Sequence, residues 1–87
     1  MTALEPFVPP LMVELGRPGN FRRVTHAGEA AECLMTAWPL ERGPRHREAV
    51  GTCLKVLDGR RSAEDARRAF LEACREANVP VSELPEP

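Results

Sequence analysis

Eighty-seven residues make one domain with a single thin core, because a chain of this length removes only about two thirds of its surface from water. Aromatics are 5% of the chain, so alanine, leucine and valine must supply most of that core. The net charge of −1 selects neither a polyanion nor a membrane surface, and no apolar run approaches the length that spans a bilayer.

Residues 1–9 contain Pro6 and Pro9 and read as an extended N-terminal arm. Phe7 and Val8 in that arm can pack elsewhere, for instance on a neighbouring subunit. The start, Met1 to Pro6, lacks the basic residues and apolar run of a signal peptide. The folded domain is expected over 10–81. Leu11, Val13 and Leu15 alternate with Met12 and Glu14, the pattern of a half-buried strand. Gly16 to Asn20 has the composition of a hairpin loop, and Phe21 to Thr25 is the returning strand. Phe21 and Val24 cannot share a face of a regular strand. Either a bulge near Phe21 or an outward-facing Phe21 resolves this.

Thr25 or His26 caps the first helix; Thr25 is the better cap by type, while His26 would put Glu29 at the third helical position. Ala27, Ala30, Ala31, Leu34, Met35 and Trp38 then form one stripe at helical period. Pro39 lacks an N–H and disfavours helix at the residue before it, so the helix stops at about Trp38. The indole at this corner reads as a structural anchor in the core, together with Pro39 and, later, Phe70. The alternative is a partly exposed tryptophan that serves as an interface platform.

A polar connection leads to Pro44, which suits the first position of a second helix. Its predicted buried stripe is Ala49, Val50, Cys53, Leu54 and Leu57, and Gly59 is its left-handed stop. Ser62 with Asp65 opens a third helix as a capping box. Its stripe is Ala63, Ala66, Phe70, Ala73, Cys74 and Ala77, with Arg68 set to pair with Glu64 and Glu72 on the solvent side. Asn78 ends it. Val79 to Val81 can lie on the sheet as a short extended piece, limited by Pro80. Residues 82–87 read as a flexible acidic tail. The fold class is therefore α+β, a hairpin followed by three antiparallel helices (ββααα), with helix connections of about five and three residues. A two-stranded sheet leaves one edge to fill, either by the C-terminal segment or by another copy, which predicts a homodimer.

Three cysteines, Cys33, Cys53 and Cys74, give an odd count with no C-x-x-C. That points to a reducing, cytoplasmic setting and to three buried thiols. His46 and Cys53 are the nearest pair of metal-type ligands, but two helical turns separate them by about 10 Å. The same separation disfavours a Cys–His nucleophile, which would also need an accessible, electropositive thiol. Gly16 to Gly19 joins two strands and does not open a helix, so it is no phosphate loop. No catalytic residue, metal or cofactor is assigned.

The arginines are the remaining candidates. Arg42, Arg45, His46 and Arg47 surround the start of the second helix, and Arg17, Arg22 and Arg23 lie in or after the hairpin loop. If the hairpin tip meets that helix start, these residues form one basic pole for a phosphate or a partner's carboxylate. Arg60, Arg61, Arg67 and Arg68 form a second group at the other end. The bland reading is solvated charge balanced by Glu29, Glu32, Glu41 and Glu48. Nucleic acid is disfavoured, for want of a recognition-helix signature and interleaved aromatics.

The runs Glu29 to Pro39, Arg45 to Gly59 and Ala66 to Ala73, behind the Val13-to-Val24 hairpin, resemble the bacterial domain-of-unknown-function family numbered 982. The resemblance extends from about Pro10 to Val81. It implies a small cytoplasmic α+β domain of a kind found as short stand-alone proteins in soil and plant-associated alphaproteobacteria. It implies no activity, substrate or catalytic residue. The expected function is a non-enzymatic protein-binding or regulatory module, acting as a homo-oligomer and on an unknown protein. An anion or nucleic-acid binder using the arginine pole is the alternative. A small enzyme would require a polar pocket that exposes Cys53 or His46.

Overall fold

The computed structural model describes residues 5–40 and 42–84; Glu41, the first four residues of the arm and the last three of the tail lie outside them. Strand β1 (Leu11–Glu14) pairs antiparallel with β2 (Phe21–Val24), Leu11 opposite Val24 and Glu14 opposite Phe21. This register is regular. Phe21 lies on the outer face and is 59% exposed, while Arg22 takes the inner side, 3.8 Å from Glu32. Gly16 and Gly19 hold the connecting loop at positive φ, and the Glu14 carboxylate accepts the Gly19 N–H at 2.6 Å.

Helix α1 (Ala27–Thr36) follows, then α2 (Pro44–Leu57), α3 (Ala63–Ala77) and β3 (Val81–Glu83). The sheet order is β2-β1-β3, all antiparallel. Thus the C-terminal segment, not another copy, fills the second edge of β1. Pro80 contributes its carbonyl to the Glu14 N–H at 3.0 Å, and the Leu84 N–H reaches the Pro10 carbonyl at 2.8 Å. Ser82 and Glu83, expected in the tail, belong to this strand. An edge strand needs no apolar alternation, so their polar side chains gave no sign of it.

The helix signals act as their chemistry predicts. His26 caps α1, its Nδ1 accepting the Gly28 N–H at 3.1 Å. Glu29 reaches back to the N–H and hydroxyl of Thr25 at 2.7 and 2.6 Å. Gly59 at φ +80° closes α2, and Ser62 and Asp65 form the full capping box of α3. Asn78 ends α3 in the left-handed conformation.

Helix α1 lies against β2, and α2 packs on both α1 and α3. The α3 stripe is buried as its spacing predicts, with Ala77 at the margin and Arg67 added. Two stripes differ. On α1 the buried arc is Ala27, Ala30, Ala31 and Leu34, flanked by Cys33 on the covered side; Met35 is half exposed on the other. On α2 the buried residues are His46, Ala49, Cys53 and Val56, while Leu54 is 49% and Leu57 37% exposed. The heptad-like spacing 46, 49, 53, 56 fits a helix held between two neighbours, and it turns the two leucines outward.

The arm is not a bystander. Phe7 is buried in the chain's own core, and its N–H donates to the Thr25 carbonyl at 2.7 Å. Arg67 is also buried; its Nε donates to the Pro9 carbonyl at 3.0 Å and its terminal nitrogen bonds the Glu83 carboxylate. One α3 side chain therefore fastens the arm to the last strand.

Candidate functional site

The start of α2 is surrounded by Arg42, Arg45, His46 and Arg47. Its N-cap, Gly43, has no side chain to offer, so the first N–H groups need an acceptor from elsewhere. Glu76 of α3 supplies it, accepting from the N–H of Arg45 at 3.1 Å and of His46 at 3.2 Å. The positive end of the helix dipole thus already faces a carboxylate. His46 is buried, and its Nε2 lies 2.7 Å from the Leu34 carbonyl, which requires the proton on Nε2. It closes the last turn of α1 and is withdrawn from any exposed basic pole.

The remaining candidate arginines have different surroundings. Arg45 is exposed and pairs with Glu48 at 2.8 Å, and the Arg42 Nε donates to the Pro39 carbonyl at 3.3 Å. Arg17 is exposed in the hairpin loop and Arg47 on α2. Arg22 and Arg23 are consecutive strand residues and point to opposite faces of the sheet. In the second group Arg60 pairs with Asp58, Arg61 with Asp65, and Arg68 with Glu64 at 3.7 Å, while Arg67 is buried. Glu72 bonds Arg75 in place of Arg68.

The anchor residues do come together. Trp38 is 5% exposed and meets Phe70 edge-on at a centroid distance of 5.6 Å, with the His46 ring at 6.0 Å. Its indole Nε1 has no hydrogen-bond partner among the described residues. Pro39 is exposed and only turns the chain. Cys33, Cys53 and Cys74 are unpaired and buried, and burial pushes the Cys53 and Cys74 thiols up to about 12. Cys53 therefore has little thiolate, and His46, two helical turns away, is committed to Leu34. Among the described residues no three His, Cys, Asp or Glu side chains gather as a metal site, and no helix is long and apolar enough to cross a membrane.

Periodicity did not reveal the apolar surface. Met35, Leu54 and Leu57, assigned by their spacing to the core, are exposed on the outer side of α1 and α2. A groove of about 420 Å³ at the end of α2 is lined by Leu54, Lys55, Leu57, Asp58 and Arg60. The available signal was that Arg47, Gly51 and Asp58 fall on the same helical arc as Leu54, which marks that arc as outward-facing.

A family profile described as Protein of unknown function (DUF982) matches residues 9–81, from the end of the arm to the first residue of β3. The chain belongs to the DUF982 family. No curated protein and no solved structure matches it. The matched DUF982 segment contains the Trp38 corner, the Glu76 cap and the exposed α1–α2 face alike.

Proposed function

We propose that this DUF982 protein is a non-enzymatic, cytoplasmic protein-binding module that acts as a homo-oligomer. The observation that carries the reading is the pair of exposed apolar side chains Leu54 and Leu57, which line one groove at the end of α2, with Met35 also exposed on α1. Exposed apolar side chains that share a groove gain from removal from water, and a protein surface is the natural occupant. The non-enzymatic part is supported by the use already made of the reactive residue types. His46 holds Leu34, and the three thiols are packed in the core. The arginine-pole alternative is the weaker one, because Glu76 occupies the α2 N-terminus and Arg22 and Arg23 diverge.

Sedimentation equilibrium of the purified chain, from micromolar to sub-millimolar concentration, tests self-association. A reversible dimer is expected. A single 9.6 kDa species throughout removes the homo-oligomer from the reading.

A further inference from the structure

The outward arc of α2 has a symmetry of its own. Arg47, Gly51, Leu54 and Asp58 fall within about 60° of one another around the helix and span about 16 Å of its length. The order along the arc is cation, gap, knob, anion. Leu54 is half exposed, and Arg47 and Asp58 are exposed. A β-carbon built on Gly51 meets nothing within 4 Å. Glycine inside a helix is about 1 kcal/mol less favourable than alanine. The chain's own packing does not call for it here, unlike Gly28, whose β-carbon would touch the His26 ring at 3.0 Å.

The geometry points to a second copy of the chain as the occupant of this face, with α2 crossing its counterpart antiparallel about a two-fold axis between Thr52 and Cys53. Positions 47 and 58 are equidistant from that axis, and so are 51 and 54. The one operation therefore sets Leu54 of each copy into the gap at the other copy's Gly51. It also sets Arg47 of each against the other's Asp58, at the helix end whose dipole favours a cation. The Asp58 Oδ2 already holds Arg60 at 2.9 Å, and the carboxylate has a second oxygen for the guanidinium. Leu57 flanks the contact on the α1 side, where its Cδ2 would lie 4.0 Å from a β-carbon on Gly28. A partner of unrelated sequence would have to match this spacing independently; a second copy does so by construction. The inference rests on the reading of the protein as a self-associating module, and it specifies the surface.

The test is sedimentation of the full chain as wild type and as Leu54→Glu, Gly51→Gln, Arg47→Asp, Asp58→Arg and the double variant R47D/D58R, each checked for native circular dichroism. Leu54→Glu and Gly51→Gln are expected to weaken the dimer Kd by at least about tenfold. Gly51→Gln has open space in the monomer, so it reports on the interface even if Leu54→Glu does not fold. Each single charge reversal weakens the dimer. The double variant regains it, and so does an equimolar mixture of the two single variants, since a mixed pair again opposes unlike charges at both ends. A wild-type dimer indifferent to Leu54→Glu and Gly51→Gln overturns this surface and leaves self-association standing. Failure of both the double variant and the mixture to recover the dimer overturns the surface in the same way. A monomeric wild type overturns both the surface and self-association.

Discussion

Glu76 stands so close to Gly43 that a β-carbon on the glycine would lie 2.5 Å from the Glu76 Oε2. The last turn of α3 thereby closes the first turn of α2, with Glu76 accepting the N–H groups of Arg45 and His46. A carboxylate in the last turn of its own helix is unfavourably placed with respect to that helix's dipole, and favourably placed with respect to its neighbour's. Gly43 has φ −103°, which any residue adopts, so closeness to Glu76 and not backbone conformation excludes a side chain. Gly43→Ala should displace the carboxylate and cost about 1–2 kcal/mol, comparable to losing an N-cap. Glu76→Ala should cost about the same, and the double variant no more than the larger single one. Urea denaturation of all four proteins gives the coupling. Simple additivity would mean that the two residues act independently.

Stability at low pH should depend on Thr25. Partial burial raises the Glu29 pKa, but the hydroxyl and backbone hydrogen bonds from Thr25, with the charges of His26 and Arg23, together lower it below its ordinary 4.5. The ionised form is thus the one the fold favours. Its stabilisation is fully present above the unfolded value and is lost as pH falls through the depressed folded value. Thr25→Val removes the hydroxyl donor and should move the Glu29 titration upward, towards 4.5, so that the loss begins at higher pH. Carboxyl-detected NMR titration of the two proteins checks this. An unchanged Glu29 midpoint would remove Thr25 as the cause.

Local chemistry made most of the fold legible. Gly59, the Ser62–Asp65 box, Pro44 and the alternation of Leu11, Val13 and Leu15 each act through their own backbone neighbours, and each does what its residue type dictates. The failures involve side chains whose partners are distant in sequence. Periodicity counts apolar residues, so it placed Leu54 and Leu57 inside and gave no weight to His46 as a core residue. Only the Leu34 carbonyl, 12 residues earlier, explains why a histidine is buried there. Arg67 looked like surface charge because its two partners, Pro9 and Glu83, lie at opposite ends of the chain. The cap on the α2 N-terminus was hidden for the same reason, since Glu76 is 31 residues from Arg45.

The thiols offer a direct view of core integrity. Burial raises the pKa of all three, to about 12 for Cys53 and Cys74. A disulfide-exchange reagent at mildly alkaline pH should therefore label none of them faster than the protein opens, and all three at once in denaturant. One rapidly labelled thiol in the native protein would show that its helix is not packed as described.

Trp38 decides how the corner between α1 and α2 is held. It is 5% exposed and set edge-on against Phe70 at 5.6 Å, so Trp38→Ala should cost about 3–5 kcal/mol, as for other buried aromatics. For a domain of ordinary stability that leaves little folded protein. Trp38→Phe separates two contributions. It retains a ring against Phe70 and His46 but removes the Nε1–H, which has no hydrogen-bond partner among the described residues. An unmet buried donor is itself unfavourable by about 1–3 kcal/mol, so its removal offsets part of the lost packing. Trp38→Phe should consequently stay within about 1.5 kcal/mol of wild type, far above the alanine variant. Denaturation followed by far-ultraviolet circular dichroism compares the three proteins without relying on the indole as probe. Equal losses in both variants would mean that the N–H has a partner that matters. An alanine variant that melts like wild type but no longer dimerises would move Trp38 from the core to an interface.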